Sequence, residues 1–209
     1  NPANRFEKID VVLDDTVDQY EPVTQVETVY LRDTTPKIIA HNDSPDVGFE
    51  WSTIPYRGCS HGCIYCYARP THEWLGFSAG LDFESKILVK ENAPELLRQA
   101  LSKKSWKPQV LAMSGVTDCY QPIERRLEIT RRCLGVLAEF RNPVMIVTKN
   151  HLVTRDIDHL AELAQYNAVR VALSTTTLDP ELAKVLEPRA SRAARRIAAV
   201  KELSDAGVP

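Results

Sequence analysis

Four short apolar runs, separated by segments with helical spacing, constrain this chain more tightly than any other feature. The runs are Phe49 to Pro55, Gln109 to Met113, Val144 to Thr148 and Val169 to Ser174. Val144 to Thr148 is rich in β-branched residues, as buried strands are. Between and after them lie helix patterns. Asn92-Ala93-Pro94 opens a helix that runs on through Glu95-Leu-Leu-Arg-Gln-Ala-Leu, with proline near the first helical position. Glu124 to Phe140 carries Ile129, Cys133, Leu134, Leu137 and Phe140 at helical spacing, Asp156 to Gln165 reads as a helix, and Arg192 to Ala206 stops at Gly207, a usual C-cap residue. Strand and helix alternating at about 30-residue spacing predict repeated βαβ units, and hence an α/β fold around a parallel sheet. Pro70 to Leu81 reads as loop.

Composition excludes several alternatives. With 209 residues, 44% hydrophobic and 26% charged, the chain can bury a core and is not disordered as a whole. No run approaches the roughly 18 apolar residues of a membrane span. Asn1 to Asp10 lacks a basic start followed by an apolar stretch, so no secretory signal is expected and the reading is cytoplasmic. Residues 1–50 hold eleven acids against four bases, so with a total charge of −2 the remainder carries a surplus of five positive charges. This acidic stretch contains the turn signals Thr34-Thr35-Pro36 and Asn42-Asp43-Ser44-Pro45. It predicts an extended acidic N-terminal arm over 1–48 wrapping a body over 49–209.

Of five cysteines, three crowd together in Gly58-Cys59-Ser60-His61-Gly62-Cys63-Ile64-Tyr65-Cys66, and Cys119 and Cys133 lie far off. The spacing is wrong for a disulfide framework and right for a metal site in a reducing compartment. A structural zinc would take a fourth ligand, which His61 or His72 could supply. Three cysteines and an open iron would instead suit an iron–sulfur cluster to which a small molecule binds directly.

The C-x3-C-x2-C spacing with an aromatic residue before the last cysteine resembles the signature of the radical S-adenosylmethionine (SAM) superfamily. Tyr56-Arg57-Gly58-Cys59 and Tyr67-Ala68-Arg69-Pro70-Thr71-His72 around it are similar to the branch related to spore photoproduct lyase, often labelled DNA repair photolyase-like. So are Thr117-Asp118-Cys119-Tyr120-Gln121-Pro122-Ile123-Glu124, Val147-Thr148-Lys149, Ser174-Thr175-Thr176 and Glu187-Pro188-Arg189, so the resemblance covers about residues 40–209. It implies a [4Fe-4S] cluster on Cys59, Cys63 and Cys66, and reductive cleavage of SAM to a 5'-deoxyadenosyl radical. A reductant such as flavodoxin or ferredoxin would supply the electron, and the substrate by analogy would be a nucleic-acid lesion or base. A non-catalytic iron–sulfur or zinc-binding module is the alternative.

The same resemblance assigns SAM contacts. Tyr65 stands beside the adenine; Gly115, Thr117 and Asp118 sit where the amino group is read; Lys149 meets the carboxylate, and Ser174 a carboxylate or ribose oxygen. These residues fall at the C-terminal ends of the expected strands, where parallel α/β barrels build their sites. Cys119 is the candidate hydrogen-atom donor, although in that branch the donor lies earlier, at the position of Gly115. Cys133 has core spacing, and His61 reads as a loop-bonding residue. Arg125, Arg126, Arg131, Arg132, Arg189, Arg192, Arg195 and Arg196 read as a solvated basic face. The alternation supplies about four βα units, fewer than a closed barrel of this type. The expectation is a partial parallel (β/α) barrel that stops early and leaves Val169 to Ser174 at an open edge, which the acidic arm could cover.

Overall fold

The computed structural model describes residues 27–43, 48–113 and 115–209. Much of the expected acidic arm, 1–26 and 44–47, lies outside them. Among the described residues eight strands form two sheets: β1 (Val29–Arg32), β2 (Ile39–His41), β3 (Trp51–Thr53), β4 (Tyr56–Arg57), β5 (Lys86–Val89), β6 (Leu111–Ala112), β7 (Val144–Thr148) and β8 (Val169–Leu173). The larger sheet has the order β2-β3-β6-β7-β8 and the smaller β1-β5-β4. Within the larger, β3, β6, β7 and β8 run parallel, and these are the four apolar runs of the sequence. They are the strands of a partial barrel.

The strand β2 pairs antiparallel with β3, His41 opposite Trp51. The described part of the arm therefore covers the β3 edge of the sheet and not the β8 edge, contrary to expectation. On β8, Val171 N donates to the carbonyl of Pro209 at 2.9 Å. β1 pairs in parallel with β5, and the segment after it is pinned by a buried ion pair, Lys90 Nζ to Asp33 Oδ1 at 3.1 Å.

The helices are α1 (Asp82–Ser85), α2 (Ala93–Leu101), α3 (Glu124–Leu127), α4 (Ile129–Phe140), α5 (Ile157–Ala164), α6 (Pro180–Leu186) and α7 (Ala193–Asp205). The helix expected over 124–140 is broken, because Glu128 takes a left-handed conformation at φ 51°. The cause lies four residues earlier. The buried Glu124 side chain folds over the break and accepts from Thr130 N at 3.0 Å and Arg131 N at 3.3 Å, capping the new helix start. The segment expected as loop after Pro70 begins instead with a 3-10 helix, Arg69–Leu75.

The helix α4 buries Ile129, Cys133, Leu134 and Leu137, confirming the core placement of Cys133. Each such leucine contributes about 1.5–3 kcal/mol by leaving water. α2 and α5 flank it, and their buried leucines, Leu97 and Leu160 among them, join one continuous core with β6 and β7. The outcome is a row of parallel strands held from one side, with their C-terminal ends exposed at one rim. Among the described residues no helix is long and apolar enough to cross a membrane.

Candidate functional site

At that rim, the residues that follow the parallel strands meet the loop that follows β4 and enclose a pocket of about 250 Å³. The loop supplies Cys59, Cys63 and Cys66, together with His61, Tyr65 and Tyr67. The turn after β6 supplies Val116, Thr117 and Asp118. Lys149 follows β7 directly, and Ser174 follows β8. Eight of the site residues read from the sequence, Cys59, Cys63, Cys66, Tyr65, Thr117, Asp118, Lys149 and Ser174, thus face one space.

The loop is shaped by two glycines. Gly58 has φ 80°, and a Cβ there would come within 2.7 Å of the His72 ring and 2.8 Å of the Phe83 carbonyl. Gly62 has φ 69°, and a Cβ would come within 2.5 Å of Glu84 Oε2. Conformation therefore favours glycine at both positions, and at Gly58 the Phe83 backbone carbonyl leaves no room for a side chain either. Polar clamps that periodicity did not signal fix the loop further. The buried Gln121 accepts from Ser60 N at 3.0 Å, and its amide donates to the Gly58 carbonyl at 3.3 Å. Thr117 Oγ1 donates to the same carbonyl at 2.6 Å.

Besides lining the pocket, Asp118 is bonded on several sides. Its Oδ1 accepts from Tyr120 N at 2.9 Å and Thr148 Oγ1 at 2.8 Å, and its Oδ2 from Lys149 N at 2.8 Å. Oδ2 also lies 3.2 Å from His61 Nδ1, off the line of a good hydrogen bond, so that contact is chiefly charge on charge. A carboxylate offers about four acceptor sites, and three are taken by these donors. Asp118 is a hub that ties the cysteine loop to the ends of β6 and β7. Burial disfavours its charge, but His61 and these donors hold its pKa below the ordinary carboxylate value. Burial likewise opposes a charged His61, and the carboxylate with Cys59 outweighs it, lifting the imidazole to about 10. His61 is the loop-bonding residue anticipated.

Two expectations are corrected. Cys119 does not reach the pocket: its side chain is wholly buried in the main core, on the far side of the turn that presents Thr117 and Asp118. It is not placed to give a hydrogen atom to anything bound there. Gly115 does not line the pocket either, and a Cβ on it would make only ordinary contact, 3.5 Å from Phe49. Its carbonyl instead accepts from the hydroxyl of Tyr67, whose ring is 75% exposed. The basic face is corrected in part, since Arg196 is only 2% exposed, and Arg131 forms an ion pair with the buried Asp156.

The donor set can be tested against the two metal readings. Burial pushes the Cys63 thiol up to about 12, against the opposing charge of Lys149, and raises Cys66 also. Thiols in that state become ligands only when a metal displaces their protons. A single zinc needs its sulfur ligands about 2.3 Å from one point, and among the described residues no three His, Cys, Asp or Glu side chains are grouped to hold one ion. His72 is remote from the pocket, its Nε2 bonded to the Lys86 carbonyl at 2.9 Å. A cuboidal cluster, which takes each thiolate on a different iron, suits three cysteines spread around a pocket wall.

Comparison with known proteins agrees with the architecture. The fold is that of spore photoproduct lyase: one structure, complexed with dinucleoside spore photoproduct, superposes with a TM-score of 0.62 at 16% identity over 86% of this chain and 48% of that one. A second, a mutant with bound AdoMet and dinucleoside spore photoproduct, superposes equally well at 17% identity over 87% of this chain and 48% of that one. An uncharacterised protein of Mycobacterium tuberculosis is 39% identical over 160 residues, 77% of this chain and 47% of its own length. One from Methanocaldococcus jannaschii is 33% identical over 161 residues, 77% of this chain and 58% of its own. The chain thus spans about half the length of these relatives. Its residues 53–209, which include the cysteine loop and the parallel strands β6, β7 and β8, match the family model of the Radical SAM superfamily, and the chain belongs to that superfamily.

Proposed function

We propose that Cys59, Cys63 and Cys66 bind a [4Fe-4S] cluster, that the same pocket binds SAM, and that the protein is a radical SAM enzyme. Held by these cysteines, the cluster would supply the electron, drawn from a reductant such as flavodoxin or ferredoxin, for reductive cleavage of SAM to methionine and a 5'-deoxyadenosyl radical. The protein's task is to position these groups and keep water out. Lys149 offers the pocket a cation for a carboxylate, its Nζ 5.8 Å from the centre of the Tyr65 ring. Ser174 and Thr117 offer hydroxyls, and Phe49, Val116 and Met145 supply an apolar wall. The observation that carries the reading is the convergence of three cysteines and one lysine on a single pocket at the C-terminal rim of the parallel strands.

The substrate we propose is a nucleic-acid lesion or base. Its support is the fold shared with spore photoproduct lyase, an argument by analogy. The test is anaerobic reconstitution with iron and sulfide, followed by dithionite and SAM. Formation of 5'-deoxyadenosine is expected, and acceleration by an oligonucleotide carrying a thymine photoproduct would support the substrate class. A reconstituted protein that leaves SAM intact would return the chain to the binding-module alternative.

A further inference from the structure

The segment that follows α6 lies across the cysteine loop as a strap. Ile64 N donates to the Leu186 carbonyl at 3.1 Å, Arg189 N donates to the His61 carbonyl at 3.2 Å, and Arg189 Nε donates to the Ser60 carbonyl. Ser191 N reaches the Lys149 carbonyl at 3.1 Å. At the middle of the strap, Glu187 is 4% exposed and paired with Arg196, itself 2% exposed, at 2.5 Å. Arg196 also donates to the carbonyls of Ser174 at 2.8 Å and Ser191 at 2.6 Å.

A buried carboxylate with a dedicated arginine is costly unless its geometry is used. The other oxygen of Glu187 points at the pocket side. It accepts from the Tyr65 hydroxyl and from Thr176 Oγ1, the latter at 2.7 Å. Tyr65 is an exposed aromatic in a loop between two cysteines, a place where a ring would ordinarily move among rotamers. The strap removes that freedom and leaves the ring beside Lys149 on the pocket wall.

We propose that Glu187, held by Arg196, is a positioning residue for SAM: it fixes the Tyr65 ring and so completes the wall against which SAM binds. This rests on the reading that the pocket takes SAM. Its strength is that of one charge-assisted hydrogen bond, which corresponds to roughly a five- to tenfold change in affinity.

The test is a double-mutant cycle on cluster-loaded protein, with SAM affinity measured by equilibrium dialysis and melting temperature measured alongside. Tyr65→Phe removes only the hydroxyl and leaves the ion pair intact. It should weaken SAM about five- to tenfold with iron content and melting temperature unchanged. Glu187→Gln should weaken SAM at least as much, and in the Tyr65→Phe background should add little. A merely structural glutamate would lower melting temperature and iron content equally in both backgrounds. Wild-type affinity in Tyr65→Phe, or full additivity of the two substitutions, would overturn the inference while leaving the pocket assignment standing. If wild type itself binds no SAM, the pocket assignment and the inference with it are both overturned. Should Glu187→Gln fail to fold, Tyr65→Phe with Thr176→Val decides by the same measurements: unchanged SAM affinity overturns the inference.

Discussion

At the residue scale, the site separates groups that face the pocket from groups that hold them. Lys149 faces it, and no described residue forms an ion pair with its Nζ. Lys149→Ala should keep the cluster and weaken SAM roughly ten- to a hundredfold, the effect of a carboxylate losing a charged partner; titration of SAM into both proteins would detect it, and equal affinities would leave the lysine merely solvated. Cys119 faces the core, so Cys119→Ala should leave cluster content and 5'-deoxyadenosine formation at wild-type levels and cost about 1 kcal/mol of stability. Loss of turnover with cluster intact would restore it as a donor. The three clustered cysteines were legible from their spacing, and Tyr65 and Lys149 from the resemblance to the radical SAM family. Gln121, Glu187 and Arg196 were not. A polar residue looks alike in sequence whether solvated or buried against a partner 63 or more residues distant, as Gln121 is from Gly58.

The elements repeat the contrast. β7 was legible end to end because a parallel strand covered by helices reads as a continuous apolar run, and β8 because Val169, Val171 and Leu173 alternate along it. β5 escaped because four residues between polar neighbours give periodicity too little to act on, and α6 because none of its residues is buried, so that only the Asp179 cap and Pro180 mark its start. The smaller sheet depends on a clip just as local. Asp33 accepts from Thr35 N at 2.9 Å and pairs with Lys90 and, at 3.3 Å, with Arg57. Burial works against its charge, yet the Thr35 hydrogen bonds and Lys90 keep its pKa below the ordinary carboxylate value. The stabilisation is therefore complete above the unfolded pKa of about 3.9 and is lost as pH falls through the lower folded value. Asp33→Asn should destabilise by about 3 kcal/mol at neutral pH, since it leaves a buried lysine without its counter-charge. Melting curves should show wild type and variant converging as pH drops below about 4. A constant gap across that range would mean that the charge of Asp33 contributes nothing.

For the whole molecule, the alternation in the sequence foretold the order of parallel strands, but not the buried charges that lock them to the helices. Glu124 accepts from the Tyr56 hydroxyl at 2.5 Å and from Arg155 Nη2 at 2.8 Å, joining β4 to the segment before α5 as well as capping α4. Asp156, also buried, takes Arg131 and Arg155 and the Tyr120 hydroxyl. Glu124→Ala should cost about 3–5 kcal/mol in urea unfolding, the usual result of stranding a buried partner, and a loss below 1 kcal/mol would show the network to be incidental. On the proposed function, the chemistry of the pocket rests on the metal that its three cysteines would hold. The decisive measurement is electron paramagnetic resonance of the anaerobically reconstituted, dithionite-reduced protein with and without SAM, beside Cys59→Ala, Cys63→Ala and Cys66→Ala. Wild type should give a [4Fe-4S] signal that changes when SAM is added, and each cysteine variant should lose it. Stoichiometric zinc with no such signal, or a cluster signal indifferent to SAM and retained in the variants, would contradict the assignment.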